Sequence, residues 1–208
     1  MKKKHKKWIG VTVGIASLAA IGFSAAIVGI DSYQYRRNQK IMRTLNTDAN
    51  SKTLVVFFSR SGNTELMARK IAEIKNASVV PIHSDRDKIG FWGWIQSLQD
   101  ARKTEAEITP SKIDLSAYNT IYIGSPIWLY SPAPQVFEFA KNNDFTGKKV
   151  VLFNSMNSKF EQQYIDDFKN IVEQNGGIFE KHLYIIRGRM TQQMDTDTFL
   201  KEVDTLIE

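Results

Sequence analysis

The sequence contains no cysteine among its 208 residues. A disulfide framework, a thiolate metal site and a cysteine nucleophile are therefore excluded, as is a lipid attached to an N-terminal cysteine. The chain also lacks the Gly-x-Gly-x-x-Gly turn of a dinucleotide site and the Gly-Lys-Ser/Thr ending of a nucleoside-triphosphate loop. We predict no metal site and no catalytic side chain.

Excess positive charge is confined to the N-terminal part of the chain. Residues 1–52 hold ten Lys and Arg against two Asp and Glu, whereas residues 53–208 hold eighteen against twenty. Nucleic-acid binding by a folded domain requires a basic surface on that domain. The net charge of +6 therefore does not indicate a nucleic-acid partner.

An uncharged segment, 8–30, follows a basic tail, 1–7, that carries five lysines. A membrane-spanning helix needs about 20 apolar residues, so the sequence predicts a transmembrane signal anchor over 8–30, with a cleaved secretory signal as the competing interpretation. We predict a polar linker over 31–52, either flexible or containing a short helix through Tyr35–Leu45. Because the five lysines favour a cytoplasmic N-terminus, we expect a single-pass cell-membrane protein whose domain is extracytoplasmic.

Short apolar runs alternate with helical patterns from residue 53 onward. Runs without polar interruption are typical of strands buried on both faces of a parallel sheet. Five occur, at Leu54–Phe58, Ser78–Ile82, Thr120–Ile123, Val150–Phe153 and Leu183–Ile186. Helical stretches lie between and after them, at Glu65–Lys75, Gln135–Lys141, Glu161–Gln174 and Thr196–Ile207. The pattern predicts a doubly wound five-stranded α/β domain over 53–208.

In such folds ligands bind at the carboxyl ends of the strands. The loop after the first strand reads Ser59, Arg60, Ser61, Gly62, Asn63 and Thr64. Its hydroxyls, its glycine and the following helix N-terminus favour a phosphate. Ordinary turn and capping chemistry explains the same residues equally well. Arg60 either helps to neutralise a phosphate or is a solvated loop residue.

Two further loops are expected at the same edge of the sheet. The loop after the third strand contains Pro126, Ile127, Trp128, Leu129 and Tyr130, and the loop after the fourth contains Ser155, Met156 and Asn157. The two aromatic rings, Trp128 and Tyr130, offer flat surface for stacking on a planar ring, with ordinary packing over the end of the sheet as the alternative. Together the three loops predict a site for a planar ring that carries a phosphate.

Two stretches resemble a known family. LVVFFSRSGNTELMARKIAE resembles the opening of a flavodoxin, and YNTIYIGSPIWLYSPAPQVFEFAKNNDFTGKKVVLFNS is similar to the flavodoxin-like subfamily with a G-x-P-I-W loop and a D-x-x-G-K turn. The resemblance implies non-covalent FMN and the strand order 2-1-3-4-5 that is quoted for flavodoxin. It implies that Ser59, Ser61, Gly62, Asn63 and Thr64 take the phosphate, that Pro126, Ile127, Trp128 and Leu129 border the isoalloxazine ring, and that Ser155, Met156 and Asn157 close its other edge.

The chain departs from this pattern in two places. Leu129 and Tyr130 stand where many relatives have a second Trp and a Gly, and Asn154–Lys159 contains none of the glycines usual in the loop after the fourth strand. An aromatic cluster over Phe91–Leu98 has three interpretations: an amphipathic helix packed on the sheet, a lid over the flavin, or a face that enters the bilayer.

We therefore expect a membrane-anchored, FMN-binding flavodoxin-like protein that transfers electrons. With the domain outside the cell, a membrane quinol or a neighbouring redox protein is the expected electron donor. The first alternative is an FMN-dependent NAD(P)H or quinone reductase. The second is a binding module that no longer holds flavin.

Overall fold

The computed structural model describes the backbone of residues 2–42, 52–86, 88–189 and 191–208, with side chains at 19 and from 21 onward within these ranges. The helices are α1 (Lys2–Met42), α2 (Asn63–Lys75), α3 (Phe91–Asp100), α4 (Pro134–Asn142), α5 (Gln162–Gln174) and α6 (Thr196–Ile207). The strands are β1 (Thr53–Phe58), β2 (Ser78–Ile82), β3 (Thr120–Trp128), β4 (Ser131–Pro132), β5 (Lys149–Met156) and β6 (Ile178–Ile186).

Five of the strands form a parallel sheet in the order β2-β1-β3-β5-β6. Taken in chain order without the short β4, these five have the predicted order 2-1-3-4-5. The described part of the chain nevertheless contains six strands rather than five, because β4 pairs antiparallel with the end of β3 through Ile127 and Pro132. A two-residue strand is too short to leave a pattern in the sequence.

Helices cover both faces of the sheet, which explains the uninterrupted apolar runs. On one face, α4 and α5 pack through aromatic residues such as Phe137 and Phe168, whose ring centroids lie 5.8 Å apart. On the other face, α2 and α6 contribute Leu66, Met67 and Phe199. The outer strands β2 and β6 are the exceptions, since only Ile82 of β2 and Leu183 and Ile185 of β6 are buried. Because β1, β3 and β5 are neighbours in the parallel sheet, their carboxyl ends lie side by side.

Helix α1 differs from the predicted N-terminal organisation. Residues 31–42 continue this helix, which agrees with the helical alternative for this stretch up to Met42, and residues 43–51 lie outside the described part. One face of the helix is buried through Asp31, Gln34, Asn38 and Met42, which recur at three- and four-residue spacing. The prediction missed this face because three of the four residues are polar and read as solvent-exposed.

Most of the predicted membrane segment, 8–30, lies outside the residues whose side chains are described. Among the residues that are described, we find no helix with the length and apolar character needed to cross a bilayer.

Candidate functional site

The three predicted loops meet around one cavity of about 200 Å³ at the carboxyl ends of β1, β3 and β5. Its lining includes most of the predicted site residues, namely Ser59, Arg60, Ser61, Asn63, Thr64, Pro126, Ile127, Trp128, Leu129, Ser155, Met156 and Asn157. Gly62 and Tyr130 do not line it. The topology thus brings together loops that lie far apart in the sequence, from residues 59–64 to residues 155–157.

The loop after β1 turns sharply into α2. Gly62 has φ +86°, a left-handed conformation that glycine adopts without strain, and the next residue, Asn63, begins the helix. A Cβ at position 62 would lie 3.2 Å from the Cβ of Asn38 on α1, so glycine at this position also leaves room for α1 to pack closely. The turn directs the N-terminus of α2 at the cavity, where its free N–H groups favour an anion.

A buried hydrogen bond links the first loop to the third. The hydroxyl groups of Thr64 and Ser155 lie 2.8 Å apart, and both residues are almost fully buried. The same two hydroxyls line the cavity. The first and third of the three predicted loops therefore form one continuous surface.

The loop after β3 presents one aromatic ring to the cavity rather than two. Trp128 lines it and packs edge-on against Phe58, with ring centroids 5.6 Å apart and planes at 90°. Tyr130 instead lies beneath two cations, with Lys159 Nζ 4.9 Å and Arg102 Cζ 5.7 Å from its ring centroid. The structure therefore brings only one of these two aromatic rings, that of Trp128, to the cavity. The tight return into β4 places both Leu129 and Tyr130 at positive φ, and this turn carries Tyr130 away from Trp128.

The glycine-free segment after the fourth parallel strand continues that strand. β5 extends to Met156, which pairs with Ile186 of β6. The Nδ2 group of Asn154 donates to the carbonyl oxygen of Ser125 at 2.7 Å, and Asn154 Oδ1 lies 2.8 Å from Nε2 of His182. Strand pairing and this network give the segment a fixed path without glycine.

The imidazole of His182 is neutral at physiological pH. Burial lowers the pKa of His182 to about 4, because the apolar surroundings disfavour the charged ring. Phe160 contacts the imidazole edge-to-face, with ring centroids 4.8 Å apart. Since the amide group of Asn154 uses its nitrogen to donate to Ser125, its oxygen accepts a hydrogen bond from the Nε2–H of His182. His182 does not line the cavity, but its hydrogen bond fixes the amide group of Asn154 in the strand that leads to it.

Three other elements complete the cavity, and only one of them, α3, is suggested by the sequence, in the lid interpretation. They are α1 with Asp31 and Gln34, α3 with Trp94, Ser97 and Leu98, and the segment after β6 with Arg187 and Gln193. Trp94 also packs against Phe23 of α1, with ring centroids 6.1 Å apart. Helix α3 therefore borders the cavity, as the lid interpretation expects. Arg187 could have been found, because it directly follows a strand that ends at the same edge of the sheet.

Charged and polar contacts hold α1 against the first loop. The carboxylate of Asp31 accepts two hydrogen bonds from the guanidinium of Arg60. Two helical turns further along α1, Asn38 Nδ2 donates to Asn63 Oδ1 at 2.9 Å and to the carbonyl oxygen of Ser61 at 3.3 Å. Arg60 is thus neither solvated nor free to act as an unpaired cation, and α1 forms one wall of the site.

Comparisons with known proteins agree with this geometry. A family model described as flavodoxin matches residues 52–199. Flavodoxin 1 of Escherichia coli K12 is 28% identical over 138 residues, covering 62% of this chain, and the chain spans only 66% of that relative. A candidate flavoprotein from Bacteroides uniformis (22% identity, TM-score 0.56) covers 74% of this chain and 98% of its own. A Lactobacillus acidophilus flavoprotein in complex with FMN (24% identity, TM-score 0.52) covers 76% and 99%. With the family model matched over most of the folded part, the chain belongs to the flavodoxin family.

Proposed function

We propose that this chain binds FMN without a covalent bond and transfers electrons through it at a membrane. The observation that carries the proposal is the single cavity in which the N-terminus of α2, the hydroxyls of Thr64 and Ser155, and the ring of Trp128 converge. An anion site beside a flat apolar wall matches a phosphorylated planar ring. The FMN complex of a structurally similar flavoprotein supports the same cofactor.

The residues present suit the two ends of the cofactor. At the phosphate end, the cavity offers the first loop together with Arg187, whose buried Nε group has no hydrogen-bond partner among the described residues. At the ring end, it offers Trp128, Ile127 and Met156, which are apolar. The lining thus supplies both polar groups for a phosphate and apolar side chains for a planar ring.

Helices α1 and α3 narrow the cavity. Its volume of about 200 Å³ is below the range of about 300–1,000 Å³ that is usual for small-molecule sites. Asp31 and Gln34 from α1 and Trp94 from α3 are among its lining residues. We expect these helices to move outward when FMN enters, so that α1 controls access to the site.

The lining residues favour a carrier over an enzyme. Bound FMN supplies one- and two-electron redox chemistry, and the protein sets its potential and access. Among the described lining residues there is no histidine and no lysine, and the carboxylate of Asp31 is engaged by Arg60. Trp128 and its apolar neighbours disfavour added negative charge on a stacked ring, which lowers its reduction potential.

We place this activity at a membrane on the basis of the sequence. The uncharged segment 8–30 and the five lysines before it support a single anchor with the domain on the extracytoplasmic side. Electrons then come from a membrane quinol or a neighbouring redox protein. Fractionation tests the anchor: the chain should stay in the membrane pellet after a high-salt wash and leave it in detergent. Release by salt alone would disprove the anchor without affecting the flavin site.

Titration of the full chain in detergent with FMN tests the cofactor and the activity together. We expect saturable binding, quenched flavin fluorescence, and a midpoint potential below that of free FMN. Steady NAD(P)H oxidation by the purified protein would instead identify a reductase. A chain that stays colourless at millimolar FMN would identify a flavin-free binding module and overturn the proposal.

A further inference from the structure

We infer that Arg187 supplies the positive charge that pairs with the phosphate group of the bound ligand. The inference rests on the proposed binding of FMN, and it assigns a residue outside the three loops to the anion site. Arg187 follows β6 directly, and its backbone N–H donates to the carbonyl oxygen of Met156 at 2.9 Å. The sheet therefore fixes this residue beside the third loop of the cavity.

The guanidinium of Arg187 is directed at the first loop. Its Nη1 group donates to Oδ1 of Asn63 at 2.9 Å, and its Nη2 group donates to Oγ1 of Thr196 at 2.9 Å. The ring of Phe199 supports the planar group, with Cζ 4.4 Å from the ring centroid. Asn63 is the first residue of α2, so these contacts hold a cation next to the helix end that already favours an anion.

This cation is buried and has no anionic partner among the described residues. Arg187 is 1% exposed, its hydrogen-bond acceptors are a neutral amide and a hydroxyl, and its Nε group has no acceptor. Asp195 interacts with it electrostatically without forming an ion pair, and Arg37 adds a repulsive interaction. A buried charge without a counter-ion is strongly unfavourable, which points to an anion that arrives with the ligand.

Arg60, the other arginine that lines the cavity, differs from Arg187 in having an anionic partner. Arg60 is also largely buried, but its charge is matched by the carboxylate of Asp31. Burial lowers the pKa of Arg187 to about 10, so the group remains charged at physiological pH. The described residues that line the cavity therefore carry one unmatched positive charge, at the end where the loop hydroxyls lie. A phosphate group provides the matching negative charge.

A purely structural role for Arg187 makes a different prediction. If the guanidinium only braced Asn63 and α6, its loss would weaken the binding of any flavin to a similar extent. If it pairs with phosphate, its loss weakens FMN far more than riboflavin, which has the same ring system without the phosphate. The two flavins therefore separate the two roles.

The test compares FMN and riboflavin binding to the full chain in detergent by flavin fluorescence. Arg187→Met should weaken FMN by about 10- to 100-fold, the size expected for a hydrogen bond to a charged group, and riboflavin by less than about 3-fold. Arg187→Lys should restore part of the FMN affinity. Arg189→Met, which removes an exposed cation two residues away, should leave both affinities unchanged. Equal losses for the two flavins in Arg187→Met would overturn the inference.

Inorganic phosphate provides an arm that does not depend on flavin. Phosphate should raise the melting temperature of the wild-type chain and of Arg189→Met, and it should leave that of Arg187→Met unchanged. If Arg187→Met does not fold, Arg187→Lys takes its place and should show a smaller rise than the wild type. If the wild type binds neither flavin but keeps the phosphate response, the proposed function fails and the anion site stands. If phosphate stabilises all variants equally, the assignment of Arg187 is wrong.

Discussion

The carboxylate of Asp31 and the guanidinium of Arg60 form an ion pair that joins α1 to the loop after β1, with Oδ1 of Asp31 3.1 Å from Nη2 of Arg60. Their side chains are only 1% and 9% exposed, so this pair is held in a desolvated setting. Breaking a buried pair by removing one charge costs far more than breaking a surface pair. The pair therefore acts as the main polar link between the N-terminal helix and the cavity.

In the variant Asp31→Asn, we expect α1 to move away from the cavity more often than in the wild type. Loss of one partner of a buried ion pair costs about 3–5 kcal/mol, and a change of 1.4 kcal/mol already alters a population tenfold. We expect FMN to associate with this variant at least about tenfold faster in stopped-flow fluorescence. Arg36→Gln removes an exposed charge from the same helix and serves as the control. An association rate equal to that of the wild type would show that α1 does not limit access.

Trp128→Leu should weaken FMN binding and increase the fluorescence of the bound flavin. An aromatic contact with a ring is worth about 0.5–1.5 kcal/mol beyond the area that it buries, so we expect a loss of up to about tenfold in affinity. Trp92→Leu is the matched control, because Trp92 lies on α3 and is 75% exposed. Equal effects of the two substitutions would contradict a ring site at Trp128.

The stability of the protein should fall at acid pH because of His182. Its pKa is about 4 in the folded state and 6.5 when unperturbed, so the unfolded chain binds the proton more readily between these values. The contribution of the neutral ring is complete above pH 6.5 and is lost as the pH falls from there towards 4. A difference of this size is worth up to about 3 kcal/mol.

Urea denaturation between pH 7 and pH 4 measures this contribution. We expect His182→Gln to lose less stability over this range than the wild type, by up to about 3 kcal/mol. His83→Gln provides the control, since His83 is an exposed histidine that does not line the cavity. Parallel pH profiles for the wild type and His182→Gln would rule out a buried neutral imidazole.

Gly124→Ala should destabilise the sheet beneath the site. A Cβ at this position of β3 would overlap the buried ring of Phe153 on β5, which pairs with it in the sheet. Overpacking of this kind costs about 1–3 kcal/mol. In Gly29→Ala the added methyl group meets no atom within 4 Å outside its own helix backbone, so that variant should be at least as stable as the wild type, because alanine favours a helix over glycine. Denaturation curves that coincide for Gly124→Ala and wild type would show that Phe153 moves without cost.

The sequence predicts the sheet and its loops well because both leave local patterns. Runs such as Leu54–Phe58 are apolar throughout, and Gly62 marks a turn that requires positive φ. The docking of α1 could not be predicted in the same way. Its contact face is built from Asp31 and Asn38, whose burial depends on partners far along the chain, Arg60 and Asn63. Polar residues that are buried by distant partners resemble exposed residues in a sequence.

Hydrogen–deuterium exchange of the full chain, with and without FMN, tests the central claim most directly. That claim is that the loops after β1, β3 and β5 hold one FMN molecule between them. We predict slower exchange at residues 59–64, 126–130 and 155–157, with no change at 138–142 on the outer part of α4. Unchanged exchange in the three loops at saturating FMN, or protection confined to other segments, would contradict the account.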